Sequence, residues 1–158
     1  MTFIVEQFIK FTPSRSLSVI SYRPTEDLLT SAAITYVNMR PFYAHYSVDW
    51  QQPKILEQIV ALDNWDILFN DELIGALRLS FDSDGCNLRD VQVNGPFQNK
   101  GIGAQALAES LRLAKQSDAK KLSLKVFKIS PAHRLYKKAG FVLVREDERF
   151  YYMEKAIA

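Results

Sequence analysis

The residues whose types and spacing point most clearly to chemistry lie in one stretch, Val93-Asn-Gly-Pro-Phe-Gln-Asn-Lys-Gly-Ile-Gly-Ala104. It joins the end of a strand pattern to the start of a helix pattern. Glycine at 101 and 103 removes β-carbons where a ligand must approach backbone amides closely. Those amides, with a helix dipole behind them, form a concave site suited to a phosphate or pyrophosphate. The plainer alternative is a turn whose glycines serve only tight packing. The same residues also fit a dinucleotide fingerprint, Gly101-Ile-Gly-Ala-Gln-Ala106, with alanine in the third place. That reading needs the motif after the first strand and an acid about 20 residues onward. Here the motif falls late in the chain and the region after the helix reads Lys120-Lys121, which counts against a nucleotide-binding oxidoreductase module.

Other reactive side chains carry weaker signals. Cys86 is a conceivable acyl-carrying nucleophile, but neither histidine is near it in sequence, so it reads as a small buried strand residue. One cysteine excludes an internal disulfide, and two histidines leave little for a metal site, so no metal is expected. His133 falls on the helix face opposite a core stripe and reads as solvent-facing. Lys120-Lys121 and Lys137-Lys138 read as solvated surface. Glu146-Asp147-Glu148 reads either as an attractor for a cationic amine or as a solvated hairpin tip.

The elements that position these residues follow from periodicity and turn chemistry. Leu17 to Arg23 alternates as a half-buried strand, Pro24 stops it, and Thr25-Glu-Asp opens a helix running to about Val37. A second helix covers Lys54 to Ala61. Asp66–Phe69 and Leu73–Leu79 flank the turn-forming trio Asn70-Asp71-Glu72, and Asp82-Ser-Asp-Gly85 leads into a third strand, Cys86–Val93. From Gly101 to Lys115 the period becomes helical, with Ala104, Leu107, Ala108, Leu111 and Ala114 on one face. Leu122 to Val126 alternates again. Ser130-Pro131 starts a helix whose stripe is Ala132, Leu135, Tyr136 and Ala139, closed by Gly140-Phe141. Strands Phe141–Val144 and Phe150–Glu154 follow. The fold class is α+β: a single domain with a mostly antiparallel sheet of about seven strands flanked by four helices, its core at 17–157 after an N-terminal extension at 1–16.

Composition agrees. The chain has 158 residues, about one domain's length, and 47% hydrophobic residues, an ordinary globular balance. Its net charge of +2 argues against a protein built to grip nucleic acid. The N-terminal apolar run breaks at Glu6, which argues against a signal peptide, and no stretch is long enough to span a membrane. A cytoplasmic location is the expectation, with no nucleic-acid or membrane partner.

Two stretches resemble one family. Gln98-Asn-Lys-Gly-Ile-Gly-Ala104 is similar to the Gln/Arg-x-x-Gly-x-Gly/Ala acyl-CoA signature of the GNAT N-acetyltransferase superfamily. Ser130-Pro-Ala-His-Arg-Leu-Tyr-Lys-Lys-Ala-Gly-Phe141 resembles its second motif, Asn-x-x-Ala-x-x-Leu-Tyr-x-x-x-Gly-Phe. The order of strands and helices is also that family's, from Leu17 to the C-terminus.

The resemblance implies acetyl-CoA as co-substrate and a primary amine of a small molecule or peptide as acceptor, joined by direct transfer in a ternary complex. By that analogy Gln98, Asn99, Lys100, Gly101, Ile102, Gly103 and Ala104 hold the pyrophosphate. The backbone of Val91 and Val93 pairs with the pantetheine arm like an added strand. Tyr136 protonates the departing thiolate. Two positions depart from the pattern: Ser130 stands for the usual asparagine, a cofactor contact that its capping role competes with, and Arg89-Asp90 stands for Glu-Asp. Asp90 is then the best-placed general base, or else the partner of a neighbouring cation. In the family the link between the first two helices overhangs the acceptor. Here it carries Tyr36, Arg40, Phe42, Tyr43, His45, Tyr46 and Trp50, of which Arg40, Tyr43, His45 and Tyr46 are the candidate substrate-binding residues. Arg40 either pairs with an acidic group on the acceptor or merely caps the first helix. A non-catalytic acyl-CoA-binding or regulatory domain remains the alternative function, and a homodimer remains open.

Overall fold

The computed structural model describes residues 19–157. The expected extension at 1–16, and the first two positions of the leading strand, lie outside the described residues. Strand β1 (Ile20–Pro24) ends at the proline, which has no backbone donor to continue a ladder. Thr25 does not cap the helix that follows; its hydroxyl donates to Asp66 at 2.9 Å. Asp27 caps instead, accepting the Thr30 amide at 3.1 Å, and α1 spans Leu28–His45.

That helix passes its expected end near Val37 and contains Pro41. The apolar pattern does stop there, but tertiary packing carries the helix on. Phe42 and Tyr46 stack on Phe127, at ring centroid distances of 6.1 Å and 4.9 Å. Tyr43 meets the same ring edge-on at 6.4 Å. Stacking of this kind stabilises beyond simple area burial and here offsets the hydrogen bond that Pro41 cannot make. Helix α2 (Gln52–Ile59) starts with Pro53 in its first turn and buries Ile55 and Ile59 against α1.

Strands β2 (Asp63–Phe69) and β3 (Glu72–Asp82) form the expected hairpin. Asn70 and Asp71 both adopt positive φ, 48° and 70°, a conformation these two side chains tolerate better than most. Strand β4 (Gly85–Val93) follows a turn in which Asp82 Oδ1 accepts the amides of Asp84 and Gly85. Next come α3 (Ile102–Gln116), β5 (Lys121–Phe127), α4 (Ala132–Lys138), β6 (Val142–Glu146) and β7 (Phe150–Ala156).

The seven strands make one sheet in the order β1-β2-β3-β4-β5-β7-β6, antiparallel except where β4 meets β5. The buried face of α3 is rotated from the expected stripe: Ile102, Ala106, Leu107, Ser110, Leu113 and Ala114 point inward, and Ala104 and Ala108 are exposed. A helix this rich in alanine offers two overlapping stripes. Ser110 can lie inside because its hydroxyl donates back to the Ala106 carbonyl at 2.8 Å. No helix among the described residues is long and apolar enough to cross a membrane.

Candidate active site

The sheet opens at β4. Only Cys86 and Asn87 pair with β5, opposite Leu122 and Ser123, and beyond them the two parallel strands diverge. The ladder with β3 explains how. Arg78 pairs with Asp90, but the next residue, Leu79, pairs with Leu88, which leaves Arg89 as a bulge that bends the strand. Past the bulge the Asn94 amide donates to Ile74 of β3 at 2.8 Å. Alternation then turns the backbone polar groups of Val91 and Val93 away from β3, onto an edge that no strand among the described residues covers. In this state the Val93 carbonyl accepts from the side-chain amides of Gln98 at 2.9 Å and Asn38 at 3.0 Å.

The edge leads into the glycine loop. A 3₁₀ turn at Gly95–Phe97 precedes it, and the Gln98 amide is committed to that turn through the Gly95 carbonyl. Asn99 and Gly101 take positive φ, 60° and 79°. Among the described residues no side chain caps α3, and its first helical bond runs from the Gln105 amide to the Gly101 carbonyl. The amides of Ile102, Gly103 and Ala104 therefore have no helical acceptor and face outward with the positive end of the dipole, an arrangement that attracts an anion. Gln98, Asn99 and Lys100 surround them on the exposed side. Gly103 also has a packing reason to be small. A β-carbon there would lie 3.3 Å from Leu135 Cδ2, so its small size serves the contact between α3 and α4.

Below the open edge lies a group that sequence reasoning missed. Arg78 is fully buried in β3, and all five of its N–H groups have acceptors. Nε donates to Asn64 at 2.9 Å, and one terminal nitrogen donates to the Ser31 carbonyl and hydroxyl at 2.9 Å and 2.6 Å. The other donates to Thr35 at 2.6 Å and to Asp90 at 2.5 Å. The remaining oxygen of Asp90 accepts from Gln92 at 2.6 Å, and Gln92 in turn accepts from Asn38 at 3.2 Å. Asp90 thus has the neighbouring cation that its sequence position allowed for. Both of its oxygens are engaged inside the protein, one by Arg78 and Thr35 and the other by Gln92, so Asp90 is built in as the counter-charge of a buried guanidinium. The one visible signal was a charge inside the apolar run Leu77-Arg78-Leu79; nothing marked Asn38.

Tyr136 lies half-buried on α4, its ring edge-on to Phe141 at 5.9 Å, and its hydroxyl makes no hydrogen bond among the described residues. Burial, with the charge of Asp90 adding to it, pushes its pKa up to about 12. The hydroxyl therefore stays protonated at neutral pH and suits a donor. Tyr43 is likewise raised to about 12, by burial first and by Asp90 second, with Arg78 opposing. Ser130 is not the helix cap it was expected to be: Pro131 holds that position with no side-chain cap bond, and the Ser130 hydroxyl accepts the Ala132 amide at 3.2 Å from one residue further out. His133 is not solvent-facing; its ring lies 5.4 Å from that of Tyr151 and its Nδ1 is 2.8 Å from the Ser130 carbonyl. Cys86 is buried, and desolvation, aided by Asp63 and Asp82, raises its thiol to about 11, which makes it a poor nucleophile.

The aromatic region expected as a link is mostly the last turns of α1. Tyr36, Arg40 and Tyr43, with Asp49 and Trp50 of the shorter true link, line a cavity of about 380 Å³. Arg40 lies mid-helix, so it caps nothing; its exposed guanidinium sits 5.4 Å over the Tyr36 ring. His45 is exposed against Tyr46 at 4.8 Å, and Tyr46 packs on Phe127; neither lines the cavity. The acidic hairpin tip is internally engaged: Glu146 pairs with Lys128 at 2.7 Å and Asp147 holds the turn.

A family model for the GNAT acetyltransferases matches residues 29–141. The chain belongs to that family. Among solved structures it is similar to a PaiA N-acetyltransferase of Thermoplasma acidophilum in complex with coenzyme A, at 21% identity and a TM-score of 0.68, covering 87% of this chain and 99% of that one. It is also similar to the ribosomal-protein-S18-alanine N-acetyltransferase of Escherichia coli, at 16% identity and a TM-score of 0.68, covering 89% and 95%. PH1933 of Pyrococcus horikoshii matches at 19% identity and a TM-score of 0.69, covering 87% and 98%. At these identities the likeness is one of fold. No curated protein matches the sequence significantly. As a GNAT acetyltransferase the chain has its family motif on the uncapped start of α3 and its second motif on α4.

Proposed function

We propose that this GNAT protein transfers an acetyl group from acetyl-CoA to a primary amine of a small molecule or peptide, directly and within a ternary complex. The observation that carries this reading is the open edge at Val91 and Val93 running into the uncapped N-terminus of α3. An extended amide-bearing arm ending in a pyrophosphate fits that pair of features: strand-like pairing for the arm, free amides for the anion. Acetyl-CoA binding then displaces the Gln98 and Asn38 amides from the Val93 carbonyl. The amine attacks the thioester carbonyl, the C–N bond forms, and the C–S bond breaks. Tyr136 donates its hydroxyl proton to the leaving thiolate and is reprotonated from solvent, which takes up the proton that the amine loses.

The acceptor contacts the cavity beside Tyr43. Arg40 forms no ion pair among the described residues, and a planar guanidinium matches a carboxylate bidentately, so an acceptor bearing both an amine and an acidic group is the favoured class. The commitment of Asp90 to Arg78 favours one second reading, a domain that binds acyl-CoA without turnover.

Melting temperature separates these readings when followed by assay. Acetyl-CoA at 100 times its dissociation constant stabilises by about 2.7 kcal/mol; NADP should give no shift, and a shift with NADP alone would refute the proposal. Thiol release with an amine panel distinguishes an enzyme from a binder. Arg40→Ala should selectively lose carboxylate-bearing acceptors, and a polyamine preference that survives the substitution would exclude that acceptor class.

A further inference from the structure

The most unusual group in the molecule is a fully buried arginine with no free donor, placed where the sheet opens. Arg78 reaches four elements at once: β2 through Asn64, β3 as its own strand, β4 through Asp90, and α1 through Ser31 and Thr35. Asp90 is the first paired residue past the bulge at Arg89, the point from which β4 no longer follows β5. The guanidinium therefore pulls the bent part of β4 toward α1 and β3. A relay continues from Asp90 through Gln92 and Asn38 to the Val93 carbonyl on the open edge.

From this geometry we infer that Arg78 is a positioning residue for acetyl transfer: acting through Asp90, it holds β4 away from β5 and so keeps open the edge that receives the arm of acetyl-CoA. Asp90 serves as its counter-charge and as the first link of the relay. The charged or titratable groups facing Asp90 are Arg78 from β3, Tyr43 from α1 and Tyr136 from α4. The inference rests on the proposed use of the edge by acetyl-CoA, but its main consequence concerns the protein alone.

Removing one member of a buried pair strands the other's charge, whereas replacing both with apolar residues often leaves a protein folded. The informative variant is therefore Arg78→Met with Asp90→Leu. Two readouts apply, neither of which a merely structural pair would move in a folded variant. Amide exchange at Val91 and Val93, unpaired at the native edge, should slow about tenfold in the double variant as β4 closes on β5. The KM for acetyl-CoA should rise about tenfold, more than kcat falls. Native exchange together with native KM in the folded double variant would overturn the inference. Should that variant fail to fold, Arg78→Lys keeps the charge but loses the fork; assayed below its melting temperature, where it is folded, it should raise KM for acetyl-CoA several-fold, and an unchanged KM would overturn the inference. If the native protein binds no acetyl-CoA, the proposed function fails, while the exchange measurement still decides what Arg78 does to the edge.

Discussion

A hydroxyl that is half-buried yet has no partner among the described residues is available to a ligand, and Tyr136 is such a group. Tyr136→Phe keeps the ring contact with Phe141 and removes no internal hydrogen bond, so stability should move by no more than about 0.5 kcal/mol. If the hydroxyl serves the leaving thiolate, turnover falls about 10²–10⁴-fold with acetyl-CoA affinity retained. With a pKa near 12, Tyr136 should add no alkaline limb to the rate profile across the usual assay range. Steady-state kinetics and a thermal melt of the variant check both halves; full activity would return Tyr136 to a packing role. Cys86 makes the opposite case. Its burial and raised pKa predict that incubation with acetyl-CoA alone leaves no acetyl group on the protein, and that thiol reagents reach Cys86 only on unfolding. Intact-mass measurement decides it.

Between elements, two glycines close together in sequence do different work. Gly101 has a φ of 79° with open space where a β-carbon would stand, so Gly101→Ala costs about 1–2 kcal/mol through backbone strain alone. Gly103 faces Leu135, the neighbour of Tyr136 on α4. Gly103→Val therefore lowers the melting temperature without any ligand and reduces kcat by displacing α4, whereas Gly101→Ala acts mainly on KM for acetyl-CoA. Equal effects on both constants would refute that division. The β6–β7 hairpin depends on Asp147, which accepts the amides of Arg149 and Phe150 and the Tyr152 hydroxyl. These bonds, the Tyr152 one foremost, lower its pKa to about 2, below its unfolded value of about 3.9. The contribution of the turn is thus fully present above about pH 4 and is lost as pH falls through 2. Amide exchange at Arg149 and Phe150 should accelerate over that window, and in Asp147→Asn it should lose its pH step.

At the scale of the molecule, one sheet carries two jobs on its two halves. The antiparallel strands β1 to β4 and the main core beneath α3 provide a packed base, while the junction of β4 with β5 supplies the opening. A second, smaller core of α1, α2 and Phe127 fixes the aromatic wall beside it. Because Tyr43 belongs to that smaller core and also lines the cavity, the shape of the cavity wall and the packing of α1 are mechanically joined.

The order of elements, the glycine loop, and the proline start and glycine end of α4 were all legible in the sequence, because each rests on local rules: periodicity, proline and glycine geometry, and turn chemistry. Their family resemblance was legible for the same reason, being carried by short contiguous motifs. What needed the tertiary structure were pairings of residues far apart in the chain. The extension of α1 past Val37 depends on Phe127, the task of Gly103 on Leu135, and the commitment of Asp90 on Arg78. The inward face of α3 was misread because alanine at several positions leaves a stripe undefined until a sheet lies against it. The relay from Arg78 to the Val93 carbonyl had no local signature beyond one arginine in an apolar strand, since its meaning comes only when β3, β4 and α1 bring Ser31, Thr35, Asn38 and Asp90 around it.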